Sequence, residues 1–405
     1  MKINKHCFPN GLRLVHYEDT STQMVALNIV YDVGARDEHP EHTGFAHLFE
    51  HLMFGGSAHI PDYDTPLQLA GGENNAWTNN DITNYYLTVP KPNVETAFWL
   101  ESDRMLELAF SEQSLEVQRG VVMEEFKQRC LNQPYGDVGH LFRPLAFRVH
   151  PYRWPTIGKE LSHIEQATLD EVKSFFYRFY APNNAVLAVT GNISWDETVK
   201  LTEKWFAPIP RRDVPVRQLP QEPEQTQERR LTVERNVPLD ALFMGYHMCS
   251  REGADYYAFD ILSDILSNGR SSRLNRRLVQ EQNIFSGIDA YISGTRDAGL
   301  LQISGKPAAG VSLEQAEAAV RKELEELQRS PVDGQELEKV KNKFESTQIF
   351  GNINYLNVAT NLAWFELTGK AEDIDLEVER YRSVTTEQLH TVAQRTFCES
   401  NAVVL

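Results

Sequence analysis

The chain is short of cysteine, of positive charge and of long apolar runs, and each shortage removes a class of protein. Its 405 residues include four cysteines. Cys7, Cys130, Cys249 and Cys398 lie far apart with no CxxC spacing, so they form neither a thiolate metal site nor a disulfide framework. Four buried free thiols are expected. Forty Lys and Arg against 57 Asp and Glu leave a formal net charge of −17. Affinity for phosphate backbones comes from Lys and Arg, so no nucleic-acid partner is expected, and cationic partners are favoured over anionic ones. No stretch approaches the roughly 18 apolar residues of a membrane helix. The opening MKINKHCFPNGLRLVHYEDT lacks the apolar core of a signal peptide. The expected compartment is the cytoplasm, with the periplasm as the alternative.

What is present suffices for sizeable cores: 41% of the residues are hydrophobic and 24% charged, the balance of a soluble globular protein with two or more domains. The stretch PIPRRDVPVRQLPQEPEQTQERR, residues 208–230, mixes proline, glutamine and charge without apolar periodicity and reads as a linker. It separates an N-terminal domain, 1–207, from a C-terminal one, 231–405. Each half opens on a β-rich run, MVALNIVYDVG or DALFMGYHMCS, followed by a polar turn and an apolar helical segment ending near glycine. Laying Gly55–Ser57 on Gly269–Ser271, with one residue of slack, sets AHLFEHLMFGGS opposite FDILSDILSNGRS. The halves therefore read as homologous repeats. In that overlay His47, Glu50 and His51 fall against Asp260, Ser263 and Asp264, so the second copy keeps the helix and loses the trio. Further strands (ITNYYLTVP, NAVLAVTGNI) and helices (TLDEVKSFFYRFY, LEQAEAAVRKELEELQR) follow without a regular strand–helix–strand rhythm. That mixture predicts an α+β protein, each domain a mainly antiparallel sheet with helices packed on one face.

The trio carries the chemistry. In HLFEH, residues 47–51, helical spacing places His47 and His51 on one face about 6 Å apart, within reach of a single ion. Neutral imidazoles suit zinc, and a catalytic zinc takes a third protein ligand and keeps one position open. Glu50 lies close to the same face and is placed as the general base, accepting a proton from water acidified by the ion. Phe45, Leu48, Phe49, Leu52, Met53 and Phe54 surround the trio and argue against a fully solvated helix. His39 and His42, in the proline-broken DEHPEHTG, are expected to be solvated or to support the site from behind.

The order HxxEH inverts the usual HExxH of zinc proteases. GFAHLFEHLMFGGS resembles the active-site helix of the pitrilysin and insulin-degrading-enzyme family of zinc peptidases, which includes the mitochondrial processing peptidase. The resemblance implies that the third zinc ligand is a glutamate some seventy-odd residues downstream, in a helix similar to QRGVVMEEFKQR. Glu125, 74 residues beyond His51, takes that role, with Glu124 the alternative, about 100° round the helix. The resemblance further implies that GGENNAWTNNDITNYYLTVP holds the edge strand beside the metal, with Asn75, Ala76 and Trp77 along an extended substrate. HPYRWPTIGKELSHI, FYAPNNAVLAVTGNIS and SNGRSSRLNRRLVQEQNIFSGIDAYI are similar to other family landmarks, so the likeness covers most of the chain.

Two positions depart from the family pattern. Gln118 stands where a glutamate seven residues before the third ligand is common, leaving a neutral amide in support of the metal. In the second half Arg277 is the candidate for substrate contact, while Phe285 and Ser286 stand where a tyrosine is expected. With room for two domains, the chain is similar to the processing-peptidase type. This implies a dimer, of two copies or with a homologous partner lacking the motif, enclosing a chamber for unstructured and preferably basic peptides. The expected function is that of a zinc-dependent endopeptidase. The alternative, because the family also contains respiratory-complex subunits and partner chains, is a non-catalytic scaffold or substrate-binding subunit.

Overall fold

A computed structural model describes residues 1–405. In chain order the first half forms β1 (Asn4–Cys7), β2 (Arg13–Glu18), β3 (Met24–Tyr31), α1 (Phe45–Leu52), α2 (Asp64–Leu69), β4 (Glu73–Thr78), β5 (Thr83–Pro90), α3 (Val94–Leu106) and α4 (Glu112–Phe126). Next come α5 (Val138–Ala146), α6 (Leu161–Glu165), α7 (Leu169–Phe179), β6 (Ala185–Gly191) and α8 (Trp195–Trp205). The second half forms β7 (Arg229–Arg230), β8 (Leu242–His247), α9 (Tyr256–Ser267), β9 (Phe285–Ile292), β10 (Leu300–Pro307), α10 (Leu313–Arg329) and α11 (Gly334–Gly351). It closes with α12 (Tyr355–Thr368), α13 (Glu377–Ser383), α14 (Thr386–Thr396) and β11 (Ala402–Val404).

The duplication is visible in the strand order. One sheet runs β1-β2-β6-β3-β5-β4 and the other β7-β11-β8-β10-β9. Thus β6-β3-β5-β4 and β11-β8-β10-β9 are the same arrangement, and each sheet adds one parallel pair at the corresponding place, β2 with β6 and β7 with β11. All other pairings are antiparallel.

The strands also explain the helices. β3 and β6 are apolar almost throughout and buried along nearly their whole length, so both faces of the first sheet need cover. α1, α3 and α7 fill one face, around Phe49, Phe98 and Phe176. On the other, Val358, Ala359, Leu362 and Ala363 of α12 pack on Val15, Ala26, Val30, Val186 and Ala188. The second sheet likewise receives Phe142, Ala146 and Phe147 against Leu300 and Val403. Each sheet thus gains a helical cover beyond the one-sided layer expected from sequence.

These covers cross the domain boundaries drawn from sequence. The first compact unit is Met1–Leu131, Trp154–Leu219 and Ile349–Leu376; the second is Asn132–Arg153, Pro220–Gln348 and Glu377–Leu405. Each half of the chain lends a segment, with its helix, to the other half's unit. The change at Leu219/Pro220 falls within 208–230, but that stretch is no loose tether. Arg212 donates to the carbonyls of Tyr180 (2.5 Å) and Leu106 (2.7 Å), and Arg217 pairs with Asp32 (2.8 Å) and Asp37 (2.5 Å). In the second unit Glu222 accepts the backbone N–H groups of Arg148, Val149 and His150 (2.8, 2.9 and 3.1 Å). The cysteines also differ from expectation: all four are free, but only Cys130 is buried, and Cys7 is exposed. No helix is long and apolar enough to cross a membrane.

Candidate metal centre

α1 is eight residues long, too short to be stable by itself, and its surroundings set its place. It starts at Gly44, whose φ of 88° is left-handed and where an added Cβ would come 2.6 Å from Ile164 Cδ1; glycine is required there. No side chain of the N-cap residue meets the first N–H groups. They are met from outside by Glu38, which accepts from Gly44 N (3.0 Å) and Ala46 N (2.9 Å). This buried carboxyl group meets the N–H groups at the start of the helix, up to one residue before His47. At the other end Tyr85 donates to the Phe49 carbonyl (3.3 Å), while Phe45, Leu48, Phe49 and Leu52 bind the helix to the core.

With the apolar side so fixed, the trio has one direction left. The His47 and His51 rings stand nearly perpendicular, at 86° with centroids 5.0 Å apart. Their Nε2 atoms lie 3.5 and 3.4 Å from Glu125 Oε2. Glu125 is in the last turn of α4, which is started by the Ser111 N-cap (Ser114 N to Ser111 Oγ, 3.0 Å) and packs through Leu115 and Val122 into the core that holds α1. Glu124, the alternative ligand, is turned outward and paired with Lys127 (2.6 Å).

The donor set fits a divalent ion. His47, His51 and Glu125 each offer one ligand atom, all within 4.8 Å of one another. Separations of 3.4 and 3.5 Å are long for hydrogen bonds yet match the edge of a tetrahedron whose corners lie about 2.0–2.1 Å from zinc. Burial lowers the His47 pKa to about 4, so its imidazole is neutral at physiological pH. His47 Nδ1 is buried without a partner, which leaves Nε2 as the only atom through which the ring's burial is offset. His51 holds the Glu125 carboxyl below the usual range, and burial pushes that of Glu50 up.

The remaining expected residues divide. Asn75, Ala76 and Trp77 lie on β4, an edge strand that packs beside α1. Asn75 is exposed and its Oδ1 accepts the Ala76 N–H (2.8 Å); Trp77 packs towards the α12 side. Gln118 sits beside Gly55, beyond the end of α1. Arg277 belongs to the second unit, where it pairs with Glu323 (2.6 Å) and Glu326. Phe285 is fully buried at the start of β9, and Ser286 donates to the Lys306 carbonyl (3.1 Å), so neither stands in for a tyrosine. His39 and His42 are exposed, His42 beside Glu171 (3.3 Å). Sequence reasoning missed Glu38, whose contact crosses a loop with no spacing rule, and Arg129. Arg129 follows Glu125 at i+4 and binds its other oxygen, a helical ion-pair spacing that could have been read.

Residues 13–137 match the family model described as insulinase (peptidase family M16), and residues 166–344 match the one described as peptidase M16 inactive domain. The chain belongs to peptidase family M16. It is 29% identical over 338 residues to the zinc protease PqqE of Helicobacter pylori, covering 82% of this chain and 76% of that one. It is 25% identical over 406 residues to the uncharacterized zinc protease YmxG of Bacillus subtilis, covering 100% and 98%. The crystal structure of a protease from Helicobacter pylori superposes with a TM-score of 0.94 at 26% identity, covering 100% of this chain and 98% of that one.

Proposed function

We propose that this protein is a zinc-dependent endopeptidase acting on unstructured peptides. The observation that carries the reading is the convergence of His47, His51 and Glu125 on one point, with Glu50 on the same helix. Relatives named zinc protease support it. His47 Nε2, His51 Nε2 and Glu125 Oε2 are the atoms that would hold the ion. Zinc bound there supplies Lewis acidity, which acidifies water and polarises a carbonyl. Glu50 accepts the proton of the attacking water and returns it to the leaving amine nitrogen. β4 offers a free edge on which an extended peptide adds as a strand, and Asn75 Oδ1 gives up the Ala76 N–H to it. The net charge of −17 favours basic peptides. A dimer enclosing a chamber, of two copies or with a homologous partner, completes the proposal, and sedimentation of the active species tests it: an active monomer overturns it.

The decisive test is mass spectrometry of a mixed pool of unstructured peptides incubated with the purified chain. Chelator-sensitive cleavage, lost in Glu50→Gln with zinc retained and lost together with zinc in His47→Ala, is the expected result. A second reading, a scaffold or substrate-binding subunit without activity, is favoured by Gln118 and by the pairing of Arg277 with two carboxylates. Zinc-loaded wild-type protein that cleaves nothing in the pool would select it.

A further inference from the structure

The two oxygens of Glu125 have different partners. Oε2 faces the imidazoles, whereas Oε1 lies 2.8 Å from Arg129 Nη2. Arg129 belongs to the π-helical turn Lys127–Leu131 that continues α4, and such widened turns are frequent at functional sites. Neighbouring groups are otherwise engaged. Lys127 pairs with Glu124, and Gln118, which brings no charge, sits beside Gly55.

Resting on the assignment of Glu125 as a metal ligand, we propose that Arg129 is a positioning residue of the metal centre: it engages Oε1 and leaves Oε2 as the single ligating oxygen. An arginine suits this task. Its planar guanidinium meets a carboxylate at a fixed angle, which a solvated carboxylate free to turn about its last bond would lose. The groups behind metal ligands set ligand direction and strength, and their loss typically costs 10- to 100-fold in metal affinity. The Arg129 side chain is 67% exposed, so the pair contributes little to the stability of the metal-free fold. The role is therefore separable from a structural one: it moves metal affinity and leaves the apo-protein unchanged.

The experiment titrates zinc into chelator-stripped wild type, Arg129→Gln, Arg129→Lys and Glu125→Gln against a chromogenic competitor, with the melting temperature of each apo-protein recorded alongside. Arg129→Gln is expected to melt with the wild type and to bind zinc about 10-fold more weakly, with Arg129→Lys recovering part of the loss. Wild-type zinc affinity in Arg129→Gln, while Glu125→Gln binds weakly, overturns the role of Arg129 and leaves the ligand set standing. A lowered melting temperature in apo Arg129→Gln, unrelieved by lysine, also overturns it in favour of a structural pair. Wild-type affinity in Glu125→Gln overturns the ligand assignment itself.

Discussion

α1 and α9 are the same helix built twice. Each follows the corresponding strand, β3 or β8, of sheets with the same strand order, and each buries an apolar side: Leu48, Phe49 and Leu52 in one, Leu262, Ile265 and Leu266 in the other. They differ at three polar positions. In α9 these positions are satisfied locally. Asp260 accepts the Tyr381 hydroxyl, Ser263 donates to the Asp260 carbonyl (2.9 Å) and Asp264 accepts the Asn268 amide (2.7 Å). In α1, His47 Nδ1 has no partner, and both Nε2 atoms point to Glu125 at distances too long for good hydrogen bonds. The fold needs the helix, as α9 demonstrates, and nothing in the fold needs the histidines. Polar groups left short of partners on a well-packed helix are the mark of a site whose chemistry costs stability.

The comparison is sharpest where activity and stability are exchanged. Glu50→Gln should lower the rate of peptide cleavage by about 10²–10⁴-fold or more, with zinc content unchanged by elemental analysis. Because burial raises the pKa of Glu50, the amide should leave the apo-protein as stable as the wild type or more so. Asp260→Ala should do the reverse. It strands the Tyr381 hydroxyl and should cost about 1–3 kcal/mol in denaturant titration, with zinc affinity unaltered. If Asp260→Ala abolished zinc binding without destabilising the chain, the division into a chemical helix and a structural one would be wrong.

How much of this could be read in the sequence follows the range of each interaction. α1, α9, α10 and the strands β3, β5 and β6 are legible because their periodicity is local. The trio is legible because helical spacing makes it so, and Glu125 because it follows the family pattern. The segments exchanged between units are not. α12 and α5 are apolar helices that their own periodicity assigns to some sheet, without saying which. The 208–230 stretch misleads in the same way: Arg212, Arg217 and Glu222 read as solvated charges until their distant partners are in place. The ion pairs of Arg277 with Glu323 and Glu326 of α10 are equally illegible, because a family pattern carries over positions and not the partners that this chain's own helices supply.

The helix starts give the finest version of the comparison. α9 begins at Asp255, whose carboxylate makes no cap and pairs instead with Arg395 (2.6 Å), whereas α1 depends on Glu38 six residues upstream of its N-cap. Glu38→Ala removes the acceptor of two N–H groups and should cost about 1–2 kcal/mol; Glu38→Gln keeps one oxygen and should cost less. Burial pushes the Glu38 pKa up to about 8, against an ordinary value of 4.5. A folded-state pKa above the unfolded one means that the contribution is complete below 4.5 and is lost as pH rises through 8. Glutamine cannot ionise, so the stability gap between wild type and Glu38→Gln should move in favour of the variant as pH rises, measured by denaturant midpoints of the chelator-treated proteins. A gap constant across that range would mean that Glu38 is ionised throughout, with the helix N-terminus holding its charge against the burial.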